Sequence, residues 1–211
     1  MSQTLIPAAK PIVGDDERAA VDRVLRSGMI AQGPEVAAFE QEFADVLVGG
    51  RTCVAVNSGT SGLHLGLLAA GIGPGDEVIV PSFTFAATAN SVALTGATPV
   101  FADIEPDHFC LSPDAVRAAI TERTKAIMPV HLYGHPADMA ALGAIAEEHG
   151  LLLFEDAAQA HGATLDGRPV GSFGTFAMFS LYPTKNMTSG EGGMVSCATD
   201  EVARHVRLLR N

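Results

Sequence analysis

A chain of 211 residues with a net charge of −11 is poorly suited to nonspecific binding of nucleic acid or of an anionic membrane surface. Hydrophobic residues make up 47% of the sequence, enough for a substantial core, and three widely spaced cysteines form neither a disulfide framework nor a CxxC metal pattern. The N-terminus lacks a signal-peptide pattern and no apolar run is long enough to span a membrane, so we expect a soluble cytoplasmic protein without a metal site.

Helical and extended patterns follow one another in a regular order along the chain. Two helices are predicted first, at 15–26 and 35–47, from apolar residues at helical spacing. Strands are then predicted at 52–56, 77–80, 99–102, 125–130, 151–154, 176–181 and 194–197, and helices at 60–70, 85–94, 113–120, 137–149 and 201–209. Short apolar strands that alternate with helices predict an α/β fold, with helices on both faces of a mostly parallel central sheet.

Lys185 stands out within a polar, glycine-rich segment, 180–193, that follows a predicted strand. The only other lysines are Lys10 and Lys125. An amine held on a turn at a strand end, with little competing charge nearby, is suited to forming a Schiff base. Ser180 lies five residues earlier. This spacing suits a cofactor that has its aldehyde carbon at Lys185 and its phosphate at Ser180. Taken alone, Lys185 would more often be a solvated loop residue.

A second candidate segment, 57–62, connects a predicted strand to a predicted helix. Its small residues let the backbone approach a ligand, and a helix N-terminus offers free N–H groups with a favourable dipole. A phosphate would fit there, with the hydroxyls of Thr60 and Ser61 as further donors. The alternative is an ordinary capped turn, and the GK[ST] ending of a Walker loop is absent.

A third segment, 155–161, directly follows a predicted buried strand. Asp156, at the mouth of that strand, is suited to pairing with a protonated ring nitrogen, the alternatives being a helix cap or a solvated acidic face. Glu155 is a weaker candidate, Gln159 could hydrogen-bond a cofactor oxygen, and His161 is expected to be structural or to support the site from behind.

An aromatic residue, Phe85, begins a predicted helix above a strand end, where its ring could stack on a flat ligand, although such residues usually belong to the core. Together the segments supply a lysine, a carboxylate, a phosphate cup and a ring platform. Pyridoxal phosphate needs all four, because a carboxylate keeps the ring nitrogen protonated and lets the ring absorb carbanion charge. Their joint order along the chain therefore predicts a pyridoxal phosphate enzyme.

Five segments also carry a resemblance to a known family. They are 57–64 (NSGTSGLH), 73–85 (GPGDEVIVPSFTF), 129–134 (PVHLYG), 155–162 (EDAAQAHG) and the segment around Lys185. With these motifs the chain, from Leu5 to Arg210, resembles the DegT/DnrJ/EryC1/StrS family of nucleotide-sugar aminotransferases, in the aspartate aminotransferase (fold type I) superfamily.

The resemblance implies a role for each candidate residue. Lys185 would form the Schiff base and act as general base and acid, and Asp156 would partner the pyridine nitrogen. The remaining contacts would be Gln159 to the phenolic oxygen, Phe85 to the ring, and Thr60, Ser61 and Ser180 to the phosphate. An amino acid, with glutamate as the expected donor, would thereby pass its amino group to a nucleotide-linked keto sugar.

The resemblance also implies a domain organisation. Residues 1–211 would be the N-terminal segment and the large, cofactor-binding domain of a homodimer, and the C-terminal small domain of family members is absent from these residues. The alternatives are another pyridoxal phosphate reaction on the same scaffold, such as dehydration or aminotransfer to a cyclic ketone, and a truncated, non-catalytic protein with a dimerisation or regulatory role.

Overall fold

One seven-stranded sheet organises the computed structural model, which describes residues 6–7 and 9–211. Residues 1–5 and 8 of the expected domain lie outside that description. The described strands are β1 (Thr52–Val56), β2 (Glu77–Pro81), β3 (Thr98–Ala102), β4 (Thr124–Ile127), β5 (Leu152–Asp156), β6 (Thr164–Leu165), β7 (Arg168–Pro169), β8 (Phe176–Ser180) and β9 (Gly193–Cys197).

The large sheet has the order β1-β9-β8-β5-β4-β2-β3, while β6 pairs with β7 in a separate hairpin. Strand β9 runs antiparallel to both of its neighbours, and the other pairings in this sheet are parallel. The prediction of a mostly parallel sheet is therefore confirmed.

Helices cover both faces of the sheet, as predicted. They are α1 (Asp15–Ser27), α2 (Pro34–Leu47), α3 (Gly59–Ala69), α4 (Ala87–Leu94), α5 (Pro113–Ala119), α6 (Met139–His149) and α7 (Asp200–Arg210). Val78 and Val80 of β2 share one apolar cluster with α3, α4 and α7, whereas Ile79 shares another with α5 and α6. On β8, Ala177 and Phe179 cluster with α2. Strands that are apolar on both sides need this double cover.

Three local features differ from the predicted pattern. Strand β4 ends at Ile127 rather than at residue 130, since Pro129 has no N–H with which to extend the ladder. Helix α4 begins at Ala87, so Phe85 precedes it by two residues. The β6–β7 hairpin was not predicted, although its turn is an Asp-Gly pair at positive φ, a strong hairpin signal.

The cysteines are free and buried. Burial raises the pKa of Cys53 and of Cys197 to about 12, so both thiols stay protonated near neutral pH. Over residues 6–7 and 9–211, no helix combines the length and apolar character needed to cross a membrane. In the same residues, no group of three or more His, Cys, Asp or Glu side chains is placed to hold a metal ion.

Candidate active site

A cavity of about 370 Å³ lies at the carboxyl ends of β5 and β8, beside the N-terminus of α3. This is the edge at which open α/β sheets bind ligands. It is lined by six of the seven residues predicted to contact a cofactor: Thr60, Phe85, Asp156, Gln159, Ser180 and Lys185. The fold therefore gathers four separate segments of the sequence at one place.

The seventh predicted residue, Ser61, lines a neighbouring cavity instead. Its N–H donates to the Oγ of Ser58 over 3.1 Å, and its own Oγ accepts from Ser58 over 3.0 Å. Ser58 is the N-cap of α3 and lines the main cavity, a role that its place before the predicted helix could have indicated. The start of α3 thus reaches the cavity through Ser58, Gly59 and Thr60.

Two glycines bring the start of α3 against the ends of β8 and β9. A Cβ at Gly59 would lie 3.0 Å from the Cβ of Ser180, and a Cβ at Gly193 would lie 2.9 Å from the backbone of Ser58. Side chains at these positions would push the backbones apart. The hydroxyl of Ser180 therefore lies beside a helix N-terminus, an arrangement suited to an anion.

Asp156 ends β5 and is only 4% exposed. Its Oδ2 accepts from the Oγ1 of Thr88 over 2.8 Å, and its Oδ1 accepts from the N–H of Ala158 over 3.2 Å. Because Thr88 gives its only hydroxyl proton to Asp156, Thr84 must donate the 2.9 Å bond between the two threonines. Burial raises the pKa of Asp156 above its ordinary value, and the bonds from Thr88 and Ala158 oppose that rise.

Glu155, the preceding residue, is fully buried and lies in a cradle of donors. Its carboxylate accepts from the N–H groups of Gly171, Phe173 and Gly174 over 2.7, 2.7 and 2.8 Å. The Nε2 of His131 donates a fourth bond over 3.2 Å, because its Nδ1 already accepts from the N–H of Ala137. Burial would raise the pKa of Glu155, but these bonds lower it below its ordinary value. Glu155 therefore fastens a distant turn to β5.

Three further predicted residues line the cavity. Lys185 is half-buried, and its backbone N–H donates to the carbonyl of Tyr182 over 2.9 Å. The Oε1 of Gln159 accepts from the N–H of Tyr133 over 2.6 Å. Phe85 is 73% exposed, so it is not a core residue and its ring is open to a ligand.

His161 belongs to the packing behind the cavity. Its ring lies 6.5 Å from that of Phe43 and 5.3 Å from that of Phe179, centroid to centroid. Burial lowers the pKa of His161, which favours the neutral ring. These contacts agree with the structural or supporting place expected for it.

Residues 11–211 match the DegT/DnrJ/EryC1/StrS aminotransferase family. The chain belongs to this family. It is 48% identical to the spore coat polysaccharide biosynthesis protein SpsC of Bacillus subtilis (strain 168) over 204 residues, which are 97% of the chain and 52% of SpsC. The expected resemblance is thereby confirmed.

Solved structures agree with the family assignment. DesI, crystallised in the presence of its TDP-sugar product, has a TM-score of 0.91 and 41% identity, over 99% of this chain and 53% of DesI. The PLP-form of Spr1654 from Streptococcus pneumoniae has a TM-score of 0.92 and 33% identity, over 97% of this chain and 57% of Spr1654. This DegT/DnrJ/EryC1/StrS chain thus spans about half the length of the relatives it matches.

Some supporting residues of this DegT/DnrJ/EryC1/StrS site were not predicted. Thr84 and Thr88 share a 2.9 Å hydrogen bond, but Thr84 precedes α4 and no local sequence pattern connects either residue with Asp156. Tyr133 contacts Gln159 through its backbone N–H. The glycine that follows, Gly134, is the local sequence feature that indicates a turn there.

Proposed function

We propose that this chain is the cofactor-binding part of a pyridoxal phosphate-dependent aminotransferase. It would transfer an amino group from an amino acid, with glutamate as the expected donor, to a nucleotide-linked keto sugar. The convergence of Lys185, the buried Asp156 and the N-terminus of α3 on one cavity carries the proposal. Family membership and the TDP-sugar product of DesI support it. Residues 1–211 would be the N-terminal segment and large domain of a cytoplasmic homodimer.

The donor set of the cavity fits pyridoxal phosphate. Asp156 is a buried carboxylate at the cavity wall, and a cationic partner such as a protonated ring nitrogen would offset the burial that raises its pKa. The start of α3, with Thr60 and Ser180, is suited to a phosphate. Ser61, whose hydroxyl is bonded to Ser58, has the weakest geometric support of the predicted phosphate contacts. Phe85 would stack on the ring.

When bound, the cofactor supplies an electron sink for carbanion charge. The Nζ of Lys185 would anchor the cofactor covalently and, once displaced by the amino acid, would move a proton as general base and then as general acid. Asp156 would keep a negative charge beside the ring nitrogen. Thr88 and Ala158 orient that carboxylate and favour its ionised form.

The lysine assignment is tested by trapping. Purified residues 1–211 are mixed with pyridoxal phosphate, reduced with borohydride and mapped by peptide mass spectrometry. We expect the cofactor on Lys185, a visible absorbance that glutamate bleaches, and no adduct in Lys185→Ala. Lys125→Ala is the matched control, because Lys125 is an exposed residue of β4 outside the cavity, and it should label normally. Label on Lys10 or Lys125 would contradict the assignment.

The acceptor is tested separately, on protein loaded with the amino group from glutamate. We expect amine transfer to a nucleotide-linked keto sugar when the chain is supplied with a segment that corresponds to the half of SpsC outside the match. Transfer to a cyclic ketone that lacks a nucleotide, with none to the sugar, would leave the cofactor chemistry standing and refute the substrate class.

A further inference from the structure

A turn beside the cavity holds one residue in an unfavourable backbone conformation. Tyr133, in the short 3-10 segment Leu132–Gly134, has φ 53° and ψ 22°, the left-handed region that residues other than glycine rarely adopt. Its side chain is 74% exposed. Packing of the ring therefore does not account for the conformation, and the backbone is the part of Tyr133 that makes the specific contact.

That contact is with Gln159. The N–H of Tyr133 donates to Oε1 of Gln159 over 2.6 Å. The next residue lies against the same partner, since a Cβ at Gly134 would be 3.3 Å from the carbonyl oxygen of Gln159. The turn therefore contacts both the side chain and the backbone of Gln159.

The other end of the turn is fixed to the end of β5. The N–H of His131 donates to the carbonyl of Asp156 over 3.0 Å, and its ring donates to Glu155 over 3.2 Å. Both of these partners are buried. The position of the Tyr133 N–H is thus set relative to the carboxylate that faces the cavity.

We infer that Tyr133 is a positioning residue that decides which end of the Gln159 amide is left for a ligand. A backbone N–H can only donate, so the atom facing it must be the amide oxygen and not the nitrogen. The NH₂ group is then the end of the planar amide that this bond leaves free for a ligand. Gln159 consequently presents a hydrogen-bond donor to the cavity that it lines, and an acceptor oxygen on the ligand is required.

This inference rests on the proposed function for the identity of that oxygen, the phenolic oxygen of pyridoxal phosphate. A donor toward an ionised phenolic oxygen is favourable, whereas an amide oxygen in the same place would repel it. The left-handed turn therefore selects the binding orientation of Gln159 before the cofactor arrives.

The first test compares two variants that both remove the Tyr133 ring. Glycine tolerates φ 53° whereas a β-branched residue does not. Pyridoxal phosphate affinity is followed by visible absorbance. We expect Tyr133→Gly to bind as wild type does and Tyr133→Ile to bind about tenfold more weakly, the worth of one hydrogen bond. In the Gln159→Leu background, the two substitutions should give equal affinities. Equal losses in both backgrounds, or no loss in Tyr133→Ile, would overturn the inference.

The second test reads the turn first in the absence of cofactor and then compares cofactor binding. Hydrogen exchange of the Tyr133 amide is measured in wild type, Gln159→Glu and Gln159→Leu. A glutamate keeps the acceptor and lacks the donor, so we expect Gln159→Glu to retain amide protection and yet bind pyridoxal phosphate more weakly. Gln159→Leu should lose the protection. Protection that is unchanged in Gln159→Leu would refute the positioning role, whereas failure of the wild type to bind pyridoxal phosphate would refute the proposed function alone.

Discussion

Glu155 and Asp156 are adjacent carboxylates at the end of one strand, yet their surroundings are opposite. Consecutive strand residues point to opposite faces, so Glu155 meets the 171–174 turn while Asp156 meets the cavity. Glu155 accepts four hydrogen bonds and Asp156 accepts two. Burial acts to raise both pKa values; the four bonds reverse this for Glu155, and the two bonds do not for Asp156.

The contrast shows that depth of burial does not identify the carboxylate available to a ligand. A carboxylate has about four lone-pair sites, and Glu155 uses four with protein donors. Asp156 keeps unused acceptor capacity at a cavity wall. Two adjacent acids can therefore have opposite pKa shifts because their hydrogen-bond partners differ. Three substitutions test this division between the two acids, and they are described in decreasing order of expected effect.

The largest effect is expected for Glu155→Ala, which leaves three backbone N–H groups and the buried His131 ring without their acceptor. We expect the free energy of unfolding to fall by about 3–5 kcal/mol, as when one partner of a buried charged network is removed. Urea denaturation of the cofactor-free chain measures it. Glu155→Gln, which keeps one acceptor oxygen, should lose less. A loss below about 1 kcal/mol, the worth of a single hydrogen bond, would show that the cradle does not hold the turn.

At pH values below the raised pKa of Asp156, Asp156→Asn should leave the free energy of unfolding nearly unchanged, and its main effect should be on the chemistry. An amide keeps the shape and an acceptor for Thr88, but it cannot stabilise a pyridinium proton by charge. We expect the glutamate-driven loss of visible absorbance to slow by about 100-fold or more, as when one preorganised electrostatic group is removed. Cofactor affinity should fall by about tenfold at most, because the phosphate contacts remain. A near-normal rate would remove Asp156 from the chemistry.

The sequence predicts the layers of this fold better than it predicts the division between the two acids. Apolar periodicity places the strands and helices because burial on two faces leaves a local pattern. The three backbone donors of Glu155 lie 16 to 19 residues downstream in an irregular turn, and its fourth donor, His131, lies 24 residues upstream. Thr88 lies 68 residues before Asp156. Contacts at such separations leave no periodic trace, so Asp156 could be singled out by its place at a strand end but Thr88 could not.

The two acids also give opposite dependence of stability on pH. Glu155 has a lowered pKa in the folded chain, so its contribution is present above the ordinary glutamate range, about 4.3, and is lost as pH falls. Asp156 has a raised pKa, so its contribution is present below the ordinary aspartate range, about 3.9, and is lost as pH rises through the raised value. In Asp156→Asn the free energy of unfolding should therefore no longer fall as pH rises through the raised pKa. Its fall at acid pH, which Glu155 causes, should remain.

The smallest effect is expected for Thr88→Val, which keeps the buried shape and removes the hydroxyl that donates to Asp156 over 2.8 Å. Since that bond opposes the effect of burial, the pKa of Asp156 should rise further in the variant. The ionised form of Asp156 binds a protonated ring nitrogen, so pyridoxal phosphate affinity should increase with pH. The midpoint pH of that increase should be higher in Thr88→Val than in wild type. On the acid side of the wild-type midpoint we expect a loss of up to about tenfold, while Thr88→Ser keeps the hydroxyl and should show the wild-type dependence on pH. An unchanged midpoint in Thr88→Val would mean that burial and the cavity alone set the charge of Asp156.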